Sequence, residues 1–383
     1  MKRTKVCSLC LILILMGSSV VWATESRVES LGGVGYYIRD NTNIFIFPGT
    51  MMQYRNQAVA ELRSKGNDQS YTVGAQFPKS ETSVVGLYLN RPLSISPSYI
   101  ISNVAPKMTL DRCITLMYGG KNGDMSYGLL LSFAMDKFSG VNDWGDEIKQ
   151  SARYIGISAG VSKSNFDLGL HLEMPAANYE EEGSDDDTWS GTVIGLTGRM
   201  FSQQSEKLEL VGLGNLCLGF SGREVGSTDV NYNQLKIQIG GAANYQLDKN
   251  NMAVLAVEAF GLDQEKTVVK DGDEVTNKIT TLPGIYLGIE SQVKPWLIAR
   301  LGARQLYQTA TTVTDPENGE DTEESAYGSS FNVSFGLGIT AGHLELDAVF
   351  NEGLLFDGPN FITGQSNALA YRMSVTYHFD MPK

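Results

Sequence analysis

From residue 366 the chain reads SNALAYRMSVTYHF, with Leu369, Tyr371, Met373, Val375, Tyr377 and Phe379 at alternate positions. Arg372, Ser374, Thr376 and His378 stand between them. Successive side chains of a strand point to opposite faces, so this stretch has one apolar face and one polar face. A soluble sandwich would turn the first to a core and the second to water. A strand in a membrane wall would turn the first to lipid and the second to a lumen.

The same alternation recurs upstream. Phe331, Val333, Phe335, Leu337 and Ile339 oppose Asn332, Ser334, Gly336 and Gly338, while Leu344, Leu346, Ala348 and Phe350 oppose Glu345 and Asp347. Leu297, Ala299, Leu301 and Ala303 oppose Arg300, Gly302 and Arg304. Phe166, Leu168, Leu170 and Leu172 oppose Asp167, Gly169, His171 and Glu173. No amphipathic helix interrupts the series, so the chain is all-β.

The connections choose between sandwich and membrane wall. GKNGD (120–124), SKSN (162–165), QQSEK (203–207), LDKNN (247–251), QVKP (292–295) and AGH (341–343) have tight-turn chemistry. Longer polar connections near 92–111, 139–152, 176–188, 221–230, 264–279, 310–326 and 351–366 alternate with them. A sandwich has no reason to sort its loops by length. A transmembrane antiparallel up-and-down β-barrel does, with short periplasmic turns on one rim and long extracellular loops on the other. The expected wall has about fourteen strands of about 9–11 residues, or about sixteen if YTVGAQF (71–77) pairs with an earlier segment.

The first residues carry Lys2, Arg3 and Lys5, then an apolar run, then small residues up to Ala23. This is the order of a secretory signal peptide, expected to span 1–23, and the position of Cys10 inside the apolar run argues against a lipid anchor there. The expected division is then an N-terminal periplasmic or lumen-plugging segment at 24–66 and the barrel at 67–383. Of four cysteines, Cys7 and Cys10 fall in the signal, and Cys113 and Cys217 belong to separate strands, so no disulfide framework is expected.

The terminal strand resembles the C-terminal assembly signal of Gram-negative outer-membrane proteins, although DMPK follows Phe379. The resemblance implies an outer-membrane location and insertion by the barrel assembly machinery, with membrane lipid and lipopolysaccharide as surroundings. Residues 26–50, SRVESLGGVGYYIRDNTNIFIFPGT, resemble the N-terminal segment of outer-membrane transporters for long-chain fatty acids and other hydrophobic compounds. In that family a Leu-Gly-Gly stretch, an Asp and an Asn-Pro-small motif form a hatch. The matching positions are Leu31, Gly32, Gly33, Gly35, Asp40, Asn43, Pro48 and Gly49, with Phe47 where the family has Asn before Pro. A glycine-rich segment is equally suited to a turn before a first strand.

The lumen face is expected to carry Asp167, His171, Glu173, Arg199, Lys236, Glu258, Glu290, Arg300, Arg304, Glu345, Asp347 and Arg372, interleaved with Gly and Ser. Such a surface suits water, and Arg300 with Arg304 could form a basic wall opposite acids; pairing of these charges to brace the wall is the alternative. The net charge of −13 argues against nucleic acid as a partner. The acidic stretches at 179–187, 270–274 and 315–324 lack the ligand spacing of a calcium loop and read as a solvated rim. His171, His343 and His378 are the chain's histidines, and no serine motif supplies a nucleophile beside one. The expectation is therefore a non-enzymatic barrel without metal or cofactor. A passive channel for small hydrophilic solutes leads, ahead of a hatch-bearing transporter of hydrophobic compounds and a structural or secretion-partner barrel.

Overall fold

The computed structural model of the chain describes residues 24–65, 68–91, 104–105, 107–108, 110, 112–142, 145–270, 272–317, 319–350 and 370–379. The expected signal peptide at 1–23 and the DMPK tail lie outside them.

Sixteen antiparallel strands close into one barrel. The first four are β1 (Gln57–Lys65), β2 (Asp68–Ser80), β3 (Ser83–Leu89) and β4 (Ile114–Asn122). Then come β5 (Met125–Val141), β6 (Glu147–Lys163), β7 (Phe166–Glu181), β8 (Asp187–Gln203), β9 (Leu208–Val225) and β10 (Thr228–Asp248). The circuit ends with β11 (Asn251–Val269), β12 (Glu274–Lys294), β13 (Leu297–Asp315), β14 (Thr322–Ala341), β15 (Leu344–Phe350) and β16 (Ala370–His378). Each strand pairs with its sequence neighbour, and β1 pairs with β16 from Gln57↔His378 to Arg63↔Arg372. Closure leaves no exposed edge, as a lipid environment demands.

The count resolves to sixteen because β2 contains YTVGAQF and pairs with β1. The wall therefore starts at Gln57, inside the segment expected to end at 66. The strands β5 to β14 are also longer than expected, at 16 to 21 residues each. About ten residues cross the hydrocarbon, so the wall continues past it on the side of the long connections. The polar stretch at 221–230 is accordingly mostly strand, with a tight turn between Val225 and Thr228.

The outward face carries the alternating apolar residues: Leu129, Leu131, Phe133, Leu168, Leu170, Ile194, Leu196, Leu287, Ile289 and Leu301 are all exposed. In water this surface would be untenable, and as a lipid-facing belt it defines a transmembrane barrel. Tyr245, Trp296 and Tyr377 are exposed beside the tight-turn rim, as an interfacial girdle requires. Trp189, also near a strand end, instead turns into the lumen and is 4% exposed. Phe379 stacks on Phe77 and meets Tyr377 edge-on across the closing seam. Cys113 and Cys217 are free and buried.

Candidate functional site: the plugged lumen

Residues 24–56 run inside the barrel before the chain enters β1. They form a short helix α1 (Glu25–Ser30) and two 3-10 turns, Asn41–Phe45 and Pro48–Gln53. Thr24 caps α1 through its side chain, and Asp40 with Asn43 forms a capping box on the first 3-10 turn. The left-handed backbone of Gly32 (φ 80°) and Gly33 (φ 84°) turns the chain after α1, a conformation costly for any residue with a Cβ.

The wall makes room for this segment by lacking side chains where it passes. A Cβ on Gly128 would overlap the carbonyl of Pro48, one on Gly169 the carbonyl of Ile46, and one on Gly302 the amide of Gly32. From the other side, a Cβ on Gly49 would lie 2.5 Å from the Val161 carbonyl carbon. The inward glycines thus seat backbone against backbone. Gly212 and Gly214 have nothing within 4 Å of a Cβ position, so the close approach belongs to the inward glycines at the plug.

Three charged clusters fasten the segment. In the first, Arg27 donates to Glu290 through Nε at 2.7 Å and Nη2 at 2.9 Å, and reaches Asp40 at 3.3 Å. Arg300 donates to the same Glu290 at 2.6 Å and to Asp347, which also accepts from the Thr24 hydroxyl at 3.1 Å. Cations and carboxylates alternate, so each buried charge has a partner of opposite sign. In the second, Arg199 donates to Asp167 at 2.8 Å, to the Tyr36 and Ile38 carbonyls at 3.0 and 2.7 Å, and to Asn43 Oδ1 at 2.7 Å. In the third, Glu25 accepts from Arg63 at 2.9 Å and Arg372 at 3.1 Å, and Arg63 also donates to Glu61. Burial resists ionisation of Glu25, yet Arg63, Arg372 and Arg91 together hold its carboxyl below the ordinary 4.5.

The residues singled out from sequence are distributed as follows. Leu31, Gly32, Gly33, Gly35, Asp40, Asn43, Pro48 and Gly49 all lie in the plug, where Asn43 donates to the Gly35 carbonyl at 2.9 Å. Asp167, Arg199, Glu290, Arg300, Asp347 and Arg372 belong to the fastening clusters. His171 Nε2 donates to the Ile46 carbonyl at 2.9 Å, so its Nδ1 accepts from Ser158. Glu258 accepts from Gln238 and from the Tyr286 hydroxyl, each at 2.9 Å. Arg304 reaches the Gly33 turn, Glu173 is buried beside the Tyr154 hydroxyl, Lys236 pairs with Asp263 and Glu345 with His378. Arg300 and Arg304 are thus no open basic wall, because the first is consumed by Glu290 and Asp347. Sequence reasoning missed Thr24, Glu25, Arg27, Glu61 and Arg63. Their signal is the presence of charges in a segment otherwise made of apolar and small residues.

Beyond the plug, toward the long connections, the lumen changes character. Ala134, Ala152, Tyr154, Ala177 and Trp189 form a buried apolar cluster with Val104, Ala105, Met108 and Leu110 of the β3–β4 connection, and Tyr179 and Tyr232 pack against it. The backbone amides of Lys107 and Leu110 donate to Gln150 and Asp136, each at 2.9 Å, holding these described residues of the connection inside the barrel.

These features define the class: a transmembrane antiparallel β-barrel whose own residues 24–56 occupy its lumen. No protein-family model matches the chain, and no curated protein matches it. Solved structures with similar overall form include the CymD monoaromatic hydrocarbon channel, at 9% identity and a TM-score of 0.38 over 95% of this chain and 99% of that one. CdiB from Acinetobacter baumannii matches at 9% identity and a TM-score of 0.40, over 85% of this chain and 60% of that one. OmpT of Vibrio cholerae matches at 9% identity and a TM-score of 0.30, over 85% and 98%. Likeness at this level carries no argument about activity. The expectation of a non-enzymatic barrel, drawn from the absence of a serine motif beside a histidine, is withdrawn: OmpT is among the matches, and a missing motif does not exclude an enzymatic activity.

Proposed function

We propose that the protein is a gated outer-membrane channel that admits small apolar compounds and releases them when the N-terminal plug moves. The observation that carries this is the seating of residues 24–56 in the lumen, backbone against wall glycine, at the level where the polar inner face would otherwise hold water. The passive hydrophilic pore required those polar groups to be hydrated, and His171, Arg199, Glu290, Asp347 and Arg372 among them are engaged with the plug. The apolar and aromatic lining around Trp189, Tyr154 and Tyr232 favours apolar cargo, because small-molecule sites are mostly hydrophobic with few placed polar groups. The plug's fastening is polar and apolar together, since Ile44, Met51 and Tyr54 pack against Val59, Val84, Tyr88, Met117 and Leu130, and Leu31, Val34 and Ile38 against Val254, so its release costs apolar contact as well as charge pairs.

The test is a switchable tether. The Thr24 and Ser374 hydroxyls lie 2.6 Å apart, which suits a disulfide between T24C and S374C. Uptake of a small aromatic dye into vesicles holding the double variant should stop on oxidation and return on reduction. Dye uptake indifferent to the tether, or passage of small sugars with no passage of dye, would refute the proposal.

A further inference from the structure

The β7–β8 ladder breaks once. Pairing runs from Phe166↔Met200 to Glu173↔Val193 and resumes at Ala176↔Ser190, leaving Met174 and Pro175 opposite Gly191 and Thr192 without partners. Pro175 has no N–H to donate and Gly191 no side chain to fill the gap, so the wall is dented where the two meet. The dent opens outward as a cavity of about 580 Å³ lined by Arg153, Ile155, Met174, Ser190, Thr192 and Phe220, among others. It abuts a second, of about 610 Å³, which shares Arg153 and Ser190 and adds Lys137.

Three properties of this place converge. The polar boundary of the outer surface runs through it: Ile155, Ile157, Leu168, Leu170, Ile194 and Leu196 lie toward the tight-turn rim, and Ser151, Asn178, Thr188 and Ser190 toward the loop rim. Arg153 and Lys137 are exposed, and neither has a hydrogen bond or ion pair among the described residues. They stand on adjacent strands, in the pairs Met135↔Arg153 and Lys137↔Ser151, close enough to share one ligand. The only carboxylate lining either cavity is Glu224, and Glu180 close by accepts from Asn178 at 2.8 Å. Two uncompensated cations on the outside of an acidic chain, at the edge of the apolar belt, call for an anion attached to hydrocarbon.

We propose that this dent binds an acyl-chained lipid with a phosphorylated headgroup, its chains against Ile155, Met174 and Phe220 and its phosphate between Arg153 and Lys137. A guanidinium takes two phosphate oxygens at once, the ammonium supplies a second point charge, and the Ser190 and Thr192 hydroxyls add neutral donors. The inference rests on the barrel's placement in a membrane and is independent of what passes through the lumen.

The experiment is native mass spectrometry of the refolded full-length protein with diphosphoryl lipid A, its dephosphorylated form and inorganic phosphate as separate probes. Retention of the phosphorylated lipid should exceed that of the dephosphorylated form and fall by about ten-fold or more in R153Q/K137Q. K121Q, at the opposite rim, should bind as the parent does, and a heat-modifiable gel shift reports that each variant is folded. Equal retention of both lipids, or undiminished binding by folded R153Q/K137Q, would overturn the proposal. So would inorganic phosphate displacing the lipid at equal concentration, which would make the occupant a free anion. A change from dimer to monomer in R153Q/K137Q without lipid would assign the face to a second copy of the chain instead.

Discussion

The two halves of the lumen are filled by different means. Near the tight-turn rim the plug is held by alternating buried charges and by backbone seated on glycine, in addition to apolar contact through Leu31, Val34, Tyr37, Ile38, Ile44 and Met51. Near the loop rim the connection after β3 is held by apolar contact around Ala134, Tyr154 and Trp189. Charge pairs are directional and lose their value when one partner is removed, whereas apolar packing degrades gradually with lost area. The first arrangement has the character of a latch and the second of a lining.

The largest effect should come from breaking the latch. Arg300→Met leaves Glu290 and Asp347 short of a partner and should weaken plug docking by about 3–5 kcal/mol, seen as a stable open conductance in planar bilayers where the parent is closed. A closed R300M channel would show that the other fastenings retain the plug without this cluster. On the other side of the comparison, Trp189→Ala should cost about 3 kcal/mol of local packing and reduce dye uptake while leaving conductance at the parent level. An open channel in W189A would erase the distinction between the halves. Leu337→Arg acts on the lipid face common to both and should lower refolding stability by about 2–4 kcal/mol in urea titrations without opening the plug.

Smaller effects sharpen the same contrast. Gly302→Leu puts a side chain where the Gly32 amide sits and should cost about 1–3 kcal/mol, measured as protease cleavage within 24–56, while Gly214→Leu should leave the cleavage rate unchanged. The smallest is a pH effect through Glu25, whose carboxyl lies below 4.5 in the docked state. Its contribution is complete above pH 4.5 and is lost as the pH falls through the lower docked value. Plug protection against protease should therefore decline in strongly acidic buffer, and the decline should be smaller in E25Q.

Much of the wall was legible because a strand between lipid and lumen must alternate, and that alternation survives in the described strands from Phe166 onward except where a ladder breaks or shifts register. The glycine-rich positions 31–49 were visible as a candidate hatch for the same local reason: left-handed turns and caps leave a signature. The function of Gly128, Gly169 and Gly302 was not legible. A missing side chain on an inner face makes space equally for water or for another backbone, and only the path of residues 24–56 shows which. The inward turn of Trp189 was not legible, because strand position alone does not say which face an aromatic takes near a rim. The dent at Pro175 was hidden because a proline in a strand marks a ladder break only once its partner strand is known.

Local periodicity, turn chemistry and charge were thus enough to determine an antiparallel barrel with sorted rims, since each depends on residues a few positions apart. Tertiary structure decided the rest. It set the strand count at sixteen through β1 with β16, turned a polar inner face into a latch through Arg27 with Glu290, and placed Arg153 beside Lys137. Those pairs lie far apart in sequence or meet only through strand register, and their energies exist only once closure of the barrel brings opposite charges, or like ones, to the same depth.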